Sequence, residues 1–175
     1  MMNQNNNTLV NRVANSGIIT IKLEDFLPNE QVVTFDLKDF LFKELILKEK
    51  DFRAALKEHD WTQYQEKVLC VLCSTDAIIP VWAYMLVSVY AKPHAKVVFQ
   101  GNQKKYQEMI LLSKIKNIDA ADYEGKRVVI KGCSDRWVPE SAYLSIAAKL
   151  QPTVQSLMYG EPCSTVPLFK RPRKV

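Results

Sequence analysis

The chain has 175 residues, a net charge of +5 and four cysteines, with 47% hydrophobic and 25% charged residues. That balance excludes a disordered chain and supports one buried core, so a single domain is expected over 1–175, with 1–10 and 171–175 as flexible tails. The opening MMNQNNNTLVNRV lacks the apolar segment of a signal peptide, and the longest uncharged run, Ala77 to Ala91, is shorter than the roughly 20 residues a membrane span needs. A cytoplasmic protein with reduced cysteines and no membrane partner is the expectation.

In chain order, a strand is predicted over Gly17 to Leu23 and another near Gln31 to Phe35. The mixed-charge run KDFLFKELILKEKDFR from Lys38 reads as a solvated face and leads into an amphipathic helix near Asp51 to Glu58. From Val68 to Leu72 runs a short β-branched strand. A polar loop follows it, and Pro80 sits where prolines favour the first turn of a helix, which Pro93 then ends. Lys96 to Gln100 makes the next strand, and KKYQEMILLSKIKNI from Lys104 a connecting helix. The same order then returns: strand Arg127 to Lys131, Pro139, a helix with Ala142, Ile146 and Leu150 on one face, Pro152, and strand Gln155 to Tyr159. Val166 to Arg171 reads as a terminal edge strand.

The return is legible residue by residue. Sliding 60–101 onto 119–160 without gaps matches nine of 42 positions, among them Asp60/Asp119, Tyr64/Tyr123, Pro80/Pro139, Tyr84/Tyr143 and Gly101/Gly160. Ordinary residue usage would give roughly two or three. A duplicated β-α-β unit is the expected origin, with parallel strands and a right-handed crossover in each copy. The fold class is therefore α/β: a mostly parallel sheet with helices on both faces, built around the repeat at 60–101 and 119–160, with N-terminal strand and helix additions.

The positive excess collects in Lys170, Arg171, Arg173 and Lys174, and no nucleic-acid-binding signature accompanies it, so nucleic acid is not an expected partner. Gly-rich phosphate loops and the G-x-S-x-G hydrolase elbow are absent as well. His59 and His94 are expected to face solvent, and Trp61, Trp82 and Trp137 to anchor packing.

The residues with chemistry lie at the loops. Ligands collect beyond the carboxyl ends of parallel strands, where Cys73-Ser74-Thr75-Asp76, Cys133-Ser134-Asp135 and Gly160-Glu161-Pro162-Cys163 are expected to emerge on one rim. Cys73, Cys133 and Cys163 are candidate thiolate ligands of zinc, iron or an iron–sulfur cluster, with Asp76, Asp135 or Glu161 as a fourth ligand. The bland alternative is that the thiols only pack or cap, as expected for Cys70, and that Asp76 and Asp135 stabilise helix starts. The two corners are also out of step, because Cys133 aligns with Ser74 and Gly132 reads as an inserted residue.

The segments NRVANSGIITIKLEDF, LKDFLFKELILKEKDFR, CSTDAIIPVWAY, VVIKGCSDRWVPESAY and SLMYGEPCSTVPLFKR resemble the bacterial family called domain of unknown function 2480, from about Asn11 to Pro172. The resemblance implies a small cytosolic protein associated with the sulfur-mobilisation route of iron–sulfur assembly, and it carries over no catalytic residue. Three readings follow. One is an accessory factor of iron–sulfur metabolism that binds a metal, a cluster or an assembly protein. Another is a thiol enzyme with Cys133 or Cys73 as nucleophile. The last is a non-catalytic scaffold that dimerises through the uncharged helix.

Overall fold

The computed structural model describes residues 17–161 and 163–172. The expected tail 1–10, and residues 173–175 of the other, lie outside them. The elements are β1 (Ile18–Ile21), β2 (Val32–Asp36), α1 (Glu49–Glu58), β3 (Val68–Leu72), α2 (Val81–Ala91), β4 (Val97–Gln100), α3 (Gln103–Asn117), β5 (Arg127–Ile130), α4 (Glu140–Leu150), β6 (Ser156–Glu161) and β7 (Ser164–Lys170). Short 3-10 turns follow β1 and β2 and precede β3 and β5. The fold is α/β, as expected, and the strands from β3 onward fall within two residues of their sequence boundaries. No helix among the described residues is long and apolar enough to cross a membrane.

The strands form two sheets rather than one, β2-β3-β4 and β1-β5-β6-β7. All pairings are parallel except β6 with β7. The chain divides accordingly into a continuous unit, Pro28–Ile110, and a split unit drawn from Met1–Leu27 and Leu111–Val175. Each contains a β-α-β unit where the repeat predicts one, and the registers agree. Val68 pairs with Val97 as Arg127 pairs with Ser156, a shift of 59 on both strands. Val32 meets Val68 as Ile18 meets Arg127, so β1 and β2 also occupy corresponding places. Agreement of register is a fact of geometry; common descent remains a reading of the sequence.

In the continuous unit, β3 is buried from both sides. Leu69 and Val71 pack with Phe52 and Leu56 of α1 and with Ala83 and Val87 of α2, while Val68 and Cys70 pack with Tyr106 of α3. Alternation along the strand sends successive side chains to opposite faces, which explains this division. In the split unit Val128 and Ile130 share a core with Ile21, Leu23, Leu111, Ile115, Ala142 and Ile146. The spacing Ala142, Ile146, Leu150 is one helical stripe, as the sequence indicates.

Some local expectations fail, for identifiable reasons. Asp76 and Asp135 do not hold the N-cap places of α2 and α4, which belong to Pro80 and Pro139, without a side-chain cap bond. The matched pair that does cap is Asp60 and Asp119, each accepting a backbone N–H two residues on, from Thr62 and Ala121 at 2.9 Å. His59 is half-buried rather than solvent-facing, wedged among Phe35, Phe40, Trp61 and Tyr64. Its Nε2 lies 2.8 Å from the Tyr64 hydroxyl, and burial lowers its pKa. Trp61 is the anchor expected, donating to the Leu56 carbonyl at 2.8 Å, whereas Trp137 stands 41% exposed.

Gly160, which ends copy two of the repeat, holds φ at +122°, and a Cβ there would come within 2.6 Å of the Ser164 carbonyl oxygen. Gly125 holds φ at +66° with open space around it. Gly160→Ala should therefore cost about 2–4 kcal/mol, backbone strain and clash together, and Gly125→Ala only about 1 kcal/mol. Urea unfolding of the two variants measures the difference; equal costs would contradict the tight approach of β7 to Gly160.

Candidate functional site

Each unit opens a crevice at the carboxyl end of its parallel strands, where α/β sheets gather ligands. In the continuous unit a cavity of about 370 Å³ is lined by Cys73, Ser74, Tyr84, Gln100 and Lys105, among others. The split unit has one of about 360 Å³, lined by Gly132, Ser134, Arg136, Tyr143 and Tyr159. Shifted by 59, Tyr84 becomes Tyr143, Gln100 becomes Tyr159, and Cys73 becomes Gly132. The two crevices thus occupy equivalent places and differ in chemistry.

Around the first, Asp36 at the end of β2 accepts N–H bonds from Lys38 and Ser74, both at 3.0 Å. Burial works against the Asp36 carboxylate, but those bonds outweigh it and its pKa falls. The Cys73–Ser74 corner is thereby tied to the strand beside it. Cys73, half-buried, directs its Sγ to the Thr75 carbonyl at 3.6 Å. Tyr84 has its pKa raised, mainly by burial and then by the neighbouring Cys73 and Asp36.

Around the second, Glu24 and Lys131 form an ion pair at 3.1 Å with side chains only 15% and 24% exposed. Among the described residues nothing bonds the other carboxylate oxygen, Oε2, although it is buried. Burial raises the Glu24 pKa, yet the backbone bond and Lys131 prevail and the net shift is downward. Tyr143 and Tyr159 meet edge to face with centroids 5.7 Å apart. Gly132 makes room for them, since a Cβ there would stand 2.9 Å from the Tyr159 ring.

The cysteines of the rim predicted from sequence follow strands of two different sheets. β5 and β6 are parallel neighbours, with Ile130 across from Tyr159, so the Cys133 and Cys163 loops leave one end of one sheet. Cys73 follows β3, in the other sheet. Cys133, Cys163, Asp76 and Asp135 are exposed and Glu161 is half-buried at the end of β6. Among the described residues no group of three or more His, Cys, Asp or Glu side chains is placed to hold a metal ion. Cys70 is fully buried, and burial raises its thiol pKa, as a packing residue requires.

Sequence reasoning missed Glu24, Lys131 and Asp36 because it treated β1 and β2 as additions to a repeat that began later. A signal was present. IITIKLEDFL from Ile18 and VVTFDLKDFL from Val32 share Thr, Leu, Asp, Phe and Leu at five of ten positions. Each contributes a first strand and a 3-10 turn to its own sheet.

Two α/β units with matching registers, each ending in a small polar crevice, define the class of protein. Residues 7–171 match the family described as protein of unknown function (DUF2480), and the chain belongs to that family. No curated protein and no solved structure matches it.

Because the Glu24 pKa is depressed in the fold, its contribution to stability is fully present above the ordinary value of 4.5 and is lost as pH falls through the folded value. Glu24→Gln should flatten that acid limb of the stability profile. Lys131→Met should lower the urea midpoint near neutrality, by leaving a half-satisfied carboxylate. Urea midpoints followed from neutral pH down to the acid transition test both; an unchanged acid limb in Glu24→Gln would remove the ion pair from the account.

Proposed function

We propose that the protein is a non-catalytic interaction module whose contact face is the outward side of α2. The observation that carries this reading is the row Val81, Met85 and Val89, which are 74%, 64% and 69% exposed, with Ile78 at 95% just ahead of the helix. Spacing of four places them on one side of the helix, and no charge falls between Ala77 and Ala91. Contiguous exposed apolar surface of this kind marks a binding face more often than chance exposure does. The corresponding positions of α4 are Glu140, Leu144 (78% exposed) and Ala148, so α4 has one large exposed apolar residue where α2 has three.

A second reading has one observation in its favour. The Cys133 and Cys163 loops leave the same sheet end, beside Asp135 and Glu161. An accessory role in iron–sulfur metabolism would use that corner, binding zinc, iron, a cluster or an assembly protein with two thiolates and a carboxylate. Such a corner would need ligands from elsewhere, since it lacks a complete set of its own. Nothing in the crevices favours the thiol-enzyme reading: the bond that Cys73 makes is to a carbonyl, and among the described residues no base is paired with Cys133.

Methionine oxidation tests the interaction reading directly. Met85 should oxidise several-fold more slowly, relative to Met109 (44% exposed), in intact cells than in dilute purified protein. Equal relative rates would show that α2 meets nothing and would sink the proposal. In the same preparations, made anaerobically without chelator, iron, zinc and acid-labile sulfide should each stay well below one per chain. Near-stoichiometric metal, lost in Cys133→Ser and Cys163→Ser, would put the second reading first.

A further inference from the structure

The two sheets differ at one edge. In the split unit β6 carries an antiparallel partner, β7, along its outer side, from Ser156 opposite Lys170 to Glu161 opposite Ser164. In the continuous unit the corresponding strand is β4, and among the described residues the sheet stops there. Gly101 donates to the Val71 carbonyl of the neighbouring strand, and the Gly160 carbonyl accepts from Gly132 of its own. Alternation back along each strand turns the backbone groups of Val98 and Gln100 outward, in the places from which Leu157 and Tyr159 meet β7. Among the described residues no backbone hydrogen bond reaches them there.

An open edge invites another strand, and proteins ordinarily blunt one with charge or proline. β7, an edge strand itself, has Pro167 and Lys170; Val97-Val98-Phe99-Gln100 has neither. The helix beside this edge is the uncharged one. Val98 and Gln100 of β4 line a shallow, largely apolar groove of about 230 Å³ together with Tyr84, Met85 and Ser88 of α2. Edge and helix row form one continuous surface.

We infer that this surface pairs with the same surface of a second copy of the chain, β4 against β4 in antiparallel sense with the α2 rows in contact. The inference rests on the interaction reading above and names its partner. Three observations select a second copy. The sister sheet shows that an antiparallel strand is what completes this edge. Antiparallel pairing of a strand with itself is what a two-fold axis generates, each residue finding its counterpart across the axis. Finally, a chain with net charge +5 repels its own kind, and an uncharged patch is where two copies approach at least electrostatic cost. A foreign basic or acidic partner would find no complementary charge on α2.

The test uses the purified full-length chain, compared from low micromolar to several hundred micromolar. Sedimentation should show the mass rising from 20.1 kDa towards twice that value. Hydrogen exchange at the Val98 and Gln100 amides should slow at least about tenfold across the same range, as a free edge becomes a paired one. Met85→Lys with Val89→Lys should keep the chain at monomer mass throughout, its urea midpoint showing that the fold is intact. A wild-type chain that stays monomeric at every concentration would overturn the inference. If Met85 were nonetheless protected in cells, the interaction reading would survive with a different partner. A dimer whose Val98 and Gln100 amides exchange at the monomer rate would overturn the edge pairing, and the exchange measurement reads this without any variant.

Discussion

A strand with parallel partners on both sides spends all its backbone hydrogen-bonding groups on them, and helices over its faces bury its side chains. β3 and β5 are in that position, and the rest of each unit is arranged around them. The constraint decides what such a strand can contain. Val68 to Val71 are buried without exception, and so are Val128 to Ile130. Cys70, the one reactive side chain inside, is held by burial in its protonated form. Chemistry is thereby displaced to the first residues past the strand, where Cys73 and Gly132 stand at the mouths of the two crevices.

Both units also have to close the gap between the outer first strand and the loop that follows the central one, and they do so differently. The continuous unit uses Asp36, accepting the Ser74 N–H. In the split unit Lys22 occupies the corresponding position, and the closure passes to Glu24 and Lys131. The counterparts of that pair in the continuous unit are Lys38 and Leu72, which cannot form it. A partly buried charge is tolerated in each case because a donor faces it directly. One architecture is fastened by two unrelated sets of residues, so its fasteners do not align in the repeat.

That difference accounts for what was legible in the sequence. β3, α2, β5 and α4 could be read because their signals are local: β-branched runs, a proline at each helix start, and a helical stripe on α4. The division into two sheets could not. It depends on β1 pairing with β5 across more than a hundred residues of chain, and no local pattern expresses such a pairing. The shared rim followed from assuming one sheet, whereas its cysteines follow strands of two. Spacing alone placed the three Cys-Ser steps together; topology put Cys73 in one sheet and Cys133 and Cys163 in the other.

The places where the two units diverge are more informative than those where they agree. Asp60 and Asp119 match because both units need the same cap, and Tyr84 and Tyr143 occupy equivalent places over the two crevices. Such matches report the fold. The outward face of the crossover helix is under no such requirement, since water accepts Glu140 in α4 as readily as the core accepts Ile146. Yet α2 presents Val81, Met85 and Val89 there, each giving up favourable hydration that a charged side chain would have kept. Among the described residues the sheet beside that helix also lacks the strand that its counterpart possesses. Neither feature helps the continuous unit fold, and both expose it to association. Occurring together on one side of one unit, they are most simply understood as two halves of a single contact surface.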